Sequence, residues 1–245
     1  MNGKVLAFTE RDRAIVREVA RFGVMSRDQL MRLTFFASKT RANERLKRLV
    51  DEGHLAARRQ PIPVGGPRFV YLPGRLSVDA REVRKRFSDV SDLFLIHQLG
   101  LVDIRIAFEQ HTTLSRWLPE KDLAGLSLGL VPDAYLEYEV GTLTYCAFVE
   151  YDRGTETRGR IERKVRAYLD LAHSGRFERT FTRTFFRVLV VTDSAGRLTT
   201  LSQTAARLTD RILRFTTLRE LSHHGALASI WRRPGANVSE SLTGS

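Results

Sequence analysis

Residues 132–152 read PDAYLEYEVGTLTYCAFVEYD, and this stretch decides the fold of the larger part of the chain. The run AYLEYEV, 134–140, alternates as a strand does. Gly141 and Thr142 make a tight turn. LTYCAFVEYD, 143–152, reads as a second strand, rich in β-branched and aromatic residues. Asp133 then begins one strand of a hairpin, and Glu150 and Asp152 stand near the end of the other. Spaced i and i+2, Glu150 and Asp152 share a face. Hairpin strands lie about 5 Å apart, so the three carboxylates are expected to converge. Converging hard oxygens suit Mg²⁺, which takes one or two carboxylates with waters and phosphate oxygens. Such an ion would polarise a scissile phosphate and activate water. Lys164, or Arg158 and Arg160, on the next helix would offset the developing charge. The competing reading is structural: Glu150 and Asp152 pair with Arg153, Arg158 or Arg160 and fix the strand-to-helix loop. Glu109 is a fourth acidic residue of interest.

Outward from the hairpin, residues 91–111 read as a long, mostly buried helix with Leu93, Ile96, Leu99, Val102, Ile106 and Phe108 inward. His97 within it reads as a hydrogen-bonded core residue. Residues 115–120 make a short strand, and a basic helix runs from about 158 to 174, capped by Thr155 or Thr157. FFRVLVVTD, 185–193, is a continuous apolar strand of the kind buried on both faces. A further helix is expected over 196–214, with FTTLREL and the segment around Trp231 completing the domain. The class is α/β, α+β overall: a mixed-sheet α/β sandwich over 91–232. No phosphate loop or dinucleotide fingerprint is present, which leaves ligand sensing by this domain without a motif.

The 245 residues carry a net charge of +12, with 40 Lys and Arg against 28 Asp and Glu. A hydrophobic content of 42% supports a packed core and argues against disorder. No apolar run approaches the roughly 18 residues of a membrane span, and the N-terminus has no signal-peptide pattern. A lone Cys146 excludes an internal disulfide and a Cys-based zinc cluster. The chain therefore reads as cytoplasmic, with no membrane partner. The charge is uneven. Residues 1–75 hold 16 Lys and Arg against 7 Asp and Glu, a net of +9, and residues 76–245 hold 24 against 21, a net of +3. An N-terminal module that binds a polyanion, double-stranded DNA above all, follows from this asymmetry.

The pattern within that module agrees. Thr9 with Asp12 resembles a capping box before a helix with Ile15, Val16, Val19 and Phe22 inward, stopped at Gly23. Ser26 with Gln29 opens a second, short helix. Ser38 opens a third, with Ala42, Leu46, Leu49 and Val50 inward. Two strand-like runs follow around a Pro and Gly turn. This is the order of a winged helix-turn-helix over 1–78, whose third helix enters the major groove. That helix carries Lys39, Arg41, Asn43, Arg45, Lys47 and Arg48. Arg suits guanine and Asn suits adenine. Lys47 and Arg48, with Arg58, Arg59 and Arg68 on the flank and wing, suit phosphates. Arg45→Ala is expected on this reading to weaken DNA binding. Residues 79–90 read as a charged linker helix, and 233–245 as a disordered tail.

The spacing Pro-Asp, about seventeen residues, then Glu-x-Asp resembles the pattern of restriction-endonuclease-like nucleases. The position of that family's catalytic Lys is Asp152 here. Some members move the Lys to the following helix, and Lys164 matches that placement. The segments TERDRAIVREVARFGVMSRDQL, RANERLKRLVDEGHL, GGPRFVYL, LVPDAYL, FVEYDRGTET, RVLVVTD and FTTL together resemble the replication-relaxation family over roughly residues 9–220. The resemblance implies a DNA-binding protein of bacterial plasmids or other mobile elements. Its expected role is replication, DNA relaxation, conjugative transfer or transcriptional control. It marks Asp133, Glu150, Asp152, Arg153, Thr155 and Glu156 as positions of interest without assigning roles.

Two functions stay open. One is a non-enzymatic DNA-binding protein, a homodimer or the partner of a replication or relaxosome protein. The other is a Mg²⁺-dependent nuclease or nickase using Asp133, Glu150, Asp152 and Lys164. A Tyr nucleophile is disfavoured, because no His cluster accompanies the tyrosines.

Overall fold

The computed structural model describes residues 8–33, 35–60, 68–76 and 91–243. The chain divides into two compact units, Met1–Val102 and Asp103–Ser245. The expected linker, 79–90, lies outside the described residues. The division falls inside a helix, later than the sequence pattern placed it.

In the first unit, α1 (Glu10–Phe22) leads to β1 (Met25–Ser26), α2 (Arg27–Arg32), α3 (Lys39–Asp51) and the hairpin β2 (Leu55–Gln60) and β3 (Arg68–Pro73). Both expected capping boxes are formed: the Thr9 and Ser26 side chains accept from the backbone N–H of Asp12 and Gln29, whose side chains reach back. Such boxes satisfy backbone donors that a helix start leaves orphaned. Ile15, Val19, Leu30, Ala42, Leu46 and Leu49 are fully buried, as the 3.6-residue period requires. The two-residue β1 pairs with β3, giving an antiparallel sheet in the order β1-β3-β2. Helices followed by a hairpin of this kind have the element order of a winged helix. Helix α4 (Asp92–Glu109) begins in this unit and ends in the next. Leu95 and Leu99 join a cluster with Val24, Val70 and Leu72. Leu93, expected inward, is 63% exposed.

The second unit is built on a seven-stranded mixed sheet. It comprises β4 (Thr113–Pro119), β5 (Ala134–Val140), β6 (Leu143–Asp152), β7 (Arg187–Thr192), β8 (Leu213–Thr217), β9 (Trp231–Arg232) and β10 (Ser239–Glu240), side by side in chain order. β4, β5 and β6 form an antiparallel meander, β6, β7 and β8 run parallel, and β9 and β10 return antiparallel. Between them lie α5 (Glu120–Leu123), α6 (Arg158–His173), α7 (Arg176–Phe181), α8 (Ala195–Ala206) and α9 (Leu218–His224). Tyr135, Phe148, Val188, Val190 and Phe215 of the sheet pack with Ile161, Val165 and Tyr168 of α6, Phe177 and Phe181 of α7, and Leu198 and Leu201 of α8. Leu189 and Val191 are buried as well, so β7 is apolar on both faces as its sequence indicated.

Two expectations change. The helix placed over 196–214 ends at Ala206, and Leu213–Thr217 is instead a strand parallel to β7. Its five residues are all buried, so sheet packing overrides any continuation of helical period. The tail from Arg233, expected to be disordered, carries β10. Leu242 is fully buried, and Glu240 is held by Arg214 at 2.5 Å and Arg233 at 2.9 Å. Those contacts tie a polar, Gly- and Ser-rich segment that has little order of its own.

Candidate functional site

The register of the hairpin places the acidic residues. Ala134 stands opposite Val149, so Asp133 and Glu150 face each other one step beyond the ladder. This is the C-terminal end of the parallel strands, where α/β sheets bind ligands. The Asp133 carboxylate accepts the Tyr151 backbone N–H at 2.8 Å.

Glu150 is 5% exposed, and both its oxygens are engaged. Lys164 Nζ donates to Oε2 at 2.5 Å and the Tyr168 hydroxyl to Oε1 at 2.5 Å. Lys164 and Tyr168 lie four residues apart on α6 and so share a face. Lys164 also reaches Glu156 Oε1 at 3.0 Å. Burial, and then the charge of Asp133, push the Glu150 carboxyl up to about 7, against the pull of Lys164 and Tyr168. Burial works against the Lys164 ammonium, but Glu150, Asp133 and Glu156 outweigh it and hold its pKa above the usual range. Tyr168 is held well up by burial and by Glu150, so its hydroxyl stays a donor.

Asp152 does not join this group. Arg197 of α8 takes both its oxygens, Nε to Oδ1 and Nη2 to Oδ2, each at 2.8 Å. The Gly154 backbone N–H donates to Oδ1 at 2.6 Å, and Arg197 also binds the Glu156 carbonyl at 2.8 Å. The carboxylate of Asp152 is spent on the strand-to-helix loop, as the structural reading expected, though through Arg197 rather than Arg153, Arg158 or Arg160. Those three pair with Asp193, Glu162 and Glu156. Glu109 pairs with Arg105 on its own helix at 2.9 Å.

The three-carboxylate site is thus corrected to Asp133, Glu150 and Lys164, with Tyr168 and Glu156 alongside. Among the described residues no group of three or more His, Cys, Asp and Glu side chains could hold a metal ion. Asp133 and Glu150 offer hard oxygens, but Lys164 sits where a cation would have to enter. Lys164 was legible as a residue of the next helix. Tyr168 follows from its spacing to Lys164. Nothing local to Arg197 signals its role.

The basic residues of the first unit also sort themselves. Asp12, fully buried, binds Arg45 Nε at 2.5 Å and Nη2 at 2.8 Å, with Arg48 Nη2 at 3.4 Å. Arg45 Nη2 also donates to Thr9 Oγ1 at 2.6 Å. Arg45, expected to read DNA, therefore fastens α3 to α1. Arg48 also pairs with Glu52 at 3.1 Å, exposed Lys47 with Asp51 at 2.5 Å, and Arg58 with Asp92 at 3.1 Å. Asn43 Oδ1 accepts from Arg27 Nη1 at 3.1 Å. Lys39 and Arg41, in the first turn of α3, and Arg59, on β2, are exposed. Arg68 begins β3, opposite Gln60.

A family model described as replication-relaxation matches residues 16–184. No curated protein matches the chain. Among solved structures, restriction endonuclease FokI is similar at 14% identity and a TM-score of 0.34. That match covers 91% of this chain and 45% of the FokI chain, so this chain spans under half of that length. Among the described residues, no helix is long and apolar enough to cross a membrane.

Proposed function

The chain belongs to the replication-relaxation family, and on that premise we propose that it binds double-stranded DNA through its N-terminal unit. In this reading it acts in replication, relaxation or conjugative transfer of plasmid or other mobile-element DNA, or in control of their transcription. It works in the cytoplasm, as a homodimer or with a replication or relaxosome protein.

The observation that carries the reading is the division of labour along α3. Of its later cations, Arg45 and Arg48 are held by buried Asp12, and Lys47 pairs on the surface with Asp51. Its first turn presents Lys39 and Arg41 to solvent, with Asn43 one turn on and no acidic residue in the first turn. The leading residues of the second helix of a helix-turn-helix pair are those that reach base edges. Arg59 on the hairpin is placed for a flanking phosphate.

Lys39→Ala with Arg41→Ala is expected to weaken duplex binding by roughly tenfold or more at moderate salt. The slope of log affinity against log salt should become shallower by about 2 if both contact phosphates. A loss confined to one sequence would instead mark base reading. Fluorescence anisotropy with labelled duplexes over a salt series measures both. Unchanged affinity and slope would remove α3 from the interface.

A second reading, a metal-dependent nuclease or nickase, is favoured by one observation: Lys164 on Glu150, with Asp133 opposite, at the C-terminal end of parallel strands. Lys164 would have to leave Glu150 for Mg²⁺ to be held there by Asp133 and Glu150, where the ion would supply polarisation of a scissile phosphate. The measurement is nicking of supercoiled plasmid in Mg²⁺ or Mn²⁺. Activity lost in both Asp133→Ala and Glu150→Ala supports the reading. Activity surviving both marks a contaminant, and none in the parent chain rejects it.

A further inference from the structure

The second unit carries 20 Lys and Arg against 17 Asp and Glu, a net of +3. Helix α6 alone holds Arg158, Arg160, Arg163, Lys164 and Arg166 against Glu162 and Asp170, also +3. The entire excess of this unit therefore sits on one helix, and the rest of the sheet domain is balanced.

The side chains divide by face. Ile161, Val165, Tyr168 and Leu171 are buried, and Lys164 turns inward to Glu150. Arg160, Arg163 and Arg166 are exposed. At 100° per residue these three fall within a 120° arc centred on Arg163. Their Cα atoms span about 9 Å of helix rise, against roughly 3.4 Å of duplex axis per phosphate on one strand. The acidic residues of the helix pair with cations other than Arg163 and Arg166: Glu162 with Arg158 of the same helix at 3.2 Å, and Asp170 with Arg176 of α7. Among the described residues, Arg160 alone of the three has a carboxylate partner, Glu156 at 3.2 Å, which it shares with Lys164. Arg163 and Arg166 show no ion pair among the described residues. The i,i+4 pairing along this helix is taken up by Arg158 and Arg160, and the guanidiniums of Arg163 and Arg166 are left toward solvent.

We propose that the outer face of α6, through Arg163 and Arg166 with Arg160 beside them, is a second DNA-contacting surface that grips the phosphate backbone of the duplex. Guanidinium groups suit phosphate by their bidentate geometry. The contact is independent of sequence, since no base-reading element accompanies it. The identity of the polyanion as DNA rests on the function proposed above. The surface lies on the opposite face of the helix that supplies Lys164 and Tyr168 to Glu150.

The experiment uses the full chain and a labelled duplex of arbitrary sequence, followed by anisotropy across a salt series. Arg163→Ala with Arg166→Ala is expected to lower affinity by roughly tenfold at moderate salt and to make the salt slope shallower by about 2. Both residues are exposed, so the far-UV circular dichroism and thermal midpoint should match the parent. Combined with Lys39→Ala and Arg41→Ala, the losses should add. A parent chain that binds DNA, with the α6 variant unchanged in affinity and slope, overturns the α6 surface and leaves the α3 reading standing. A parent chain with no affinity for duplex overturns both. Loss in the α6 variant with none in the α3 variant keeps this surface and rejects α3.

Discussion

Asp12→Ala is expected to destabilise the N-terminal unit by about 3 kcal/mol, the cost of breaking a buried ion pair together with a helix cap. The Asp12 carboxylate is fully buried and accepts the Thr9 backbone N–H at 2.8 Å, the Thr9 hydroxyl at 2.9 Å and the Arg45 guanidinium at two atoms. Truncation loses the capping box of α1 and leaves Arg45 and Arg48 without their common anion. The figure stays at the low end because the Arg45 and Arg48 side chains keep 25% and 18% of their exposure and can turn to water. Native-state hydrogen exchange at the core amides of α3 reads the loss directly. Exchange unchanged within about 0.5 kcal/mol, the range of an ordinary surface substitution, would show that the clamp does not hold the unit together. Burial raises the Asp12 pKa, but hydrogen bonds from Thr9 and Arg45 outweigh it and leave the group below the ordinary range of an aspartate. A depressed carboxylate stabilises the fold above its unfolded pKa, so this contribution is present at neutral pH. It is lost as the pH falls through the folded pKa. Arg45→Ala should show a similar loss of stability, and it should lower DNA affinity only through the folded fraction.

Lys164→Met is expected to destabilise the second unit by about 3 kcal/mol at pH 8, since it strands a buried carboxylate. The loss should be smaller at pH 5, because Glu150 can then take a proton and remain in place as a neutral acid. The parent chain has its own pH signature. Glu150 moves from an ordinary value of 4.5 to about 7 in the fold. Between those limits the folded state binds a proton that the unfolded state has released. This contribution to stability therefore falls as pH rises from about 4.5 to about 7, and is flat above. Lys164, whose pKa is raised, keeps its contribution throughout that window and loses it only in strong alkali. Urea unfolding at pH 5 and pH 8 measures both effects. Glu150→Gln in the parent background should remove the slope between the two pH values. A variant equally weakened at both would mean that Lys164 acts through packing alone.

The secondary structure was legible where local chemistry is decisive. Thr9 with Asp12 and Ser26 with Gln29 announce helix starts, because the residues that cap are three apart in the chain. The hairpin was legible from Gly141, which sits at φ 61 in its turn, and from the alternation on either side. The α8–β8 boundary was not: Leu213–Thr217 reads LRFTT, five residues too short and too mixed in polarity to separate a strand period from a helical one. The order of strands on the β10 side was equally hidden, since β10 is two residues held by side chains from elsewhere.

The candidate site was legible in part. Asp133, Glu150 and Lys164 were found because a hairpin and the helix that follows it must bring them close. Asp152 and Arg45 were misassigned for one reason. Arg197 lies 45 residues from Asp152, and Asp12 lies 33 residues from Arg45.

The sequence by itself determined most of the elements up to β7, their apolar faces, the uneven charge and the neighbourhood of Asp133 and Glu150. All of these depend on residues within a few positions of each other or across one turn. Only the tertiary structure decided which charges are spent inside the fold and which remain for a partner. A charge in a linear sequence has no fixed distance to most others. Its free energy is set by burial and by neighbours within a few ångströms, and folding supplies those from distant segments.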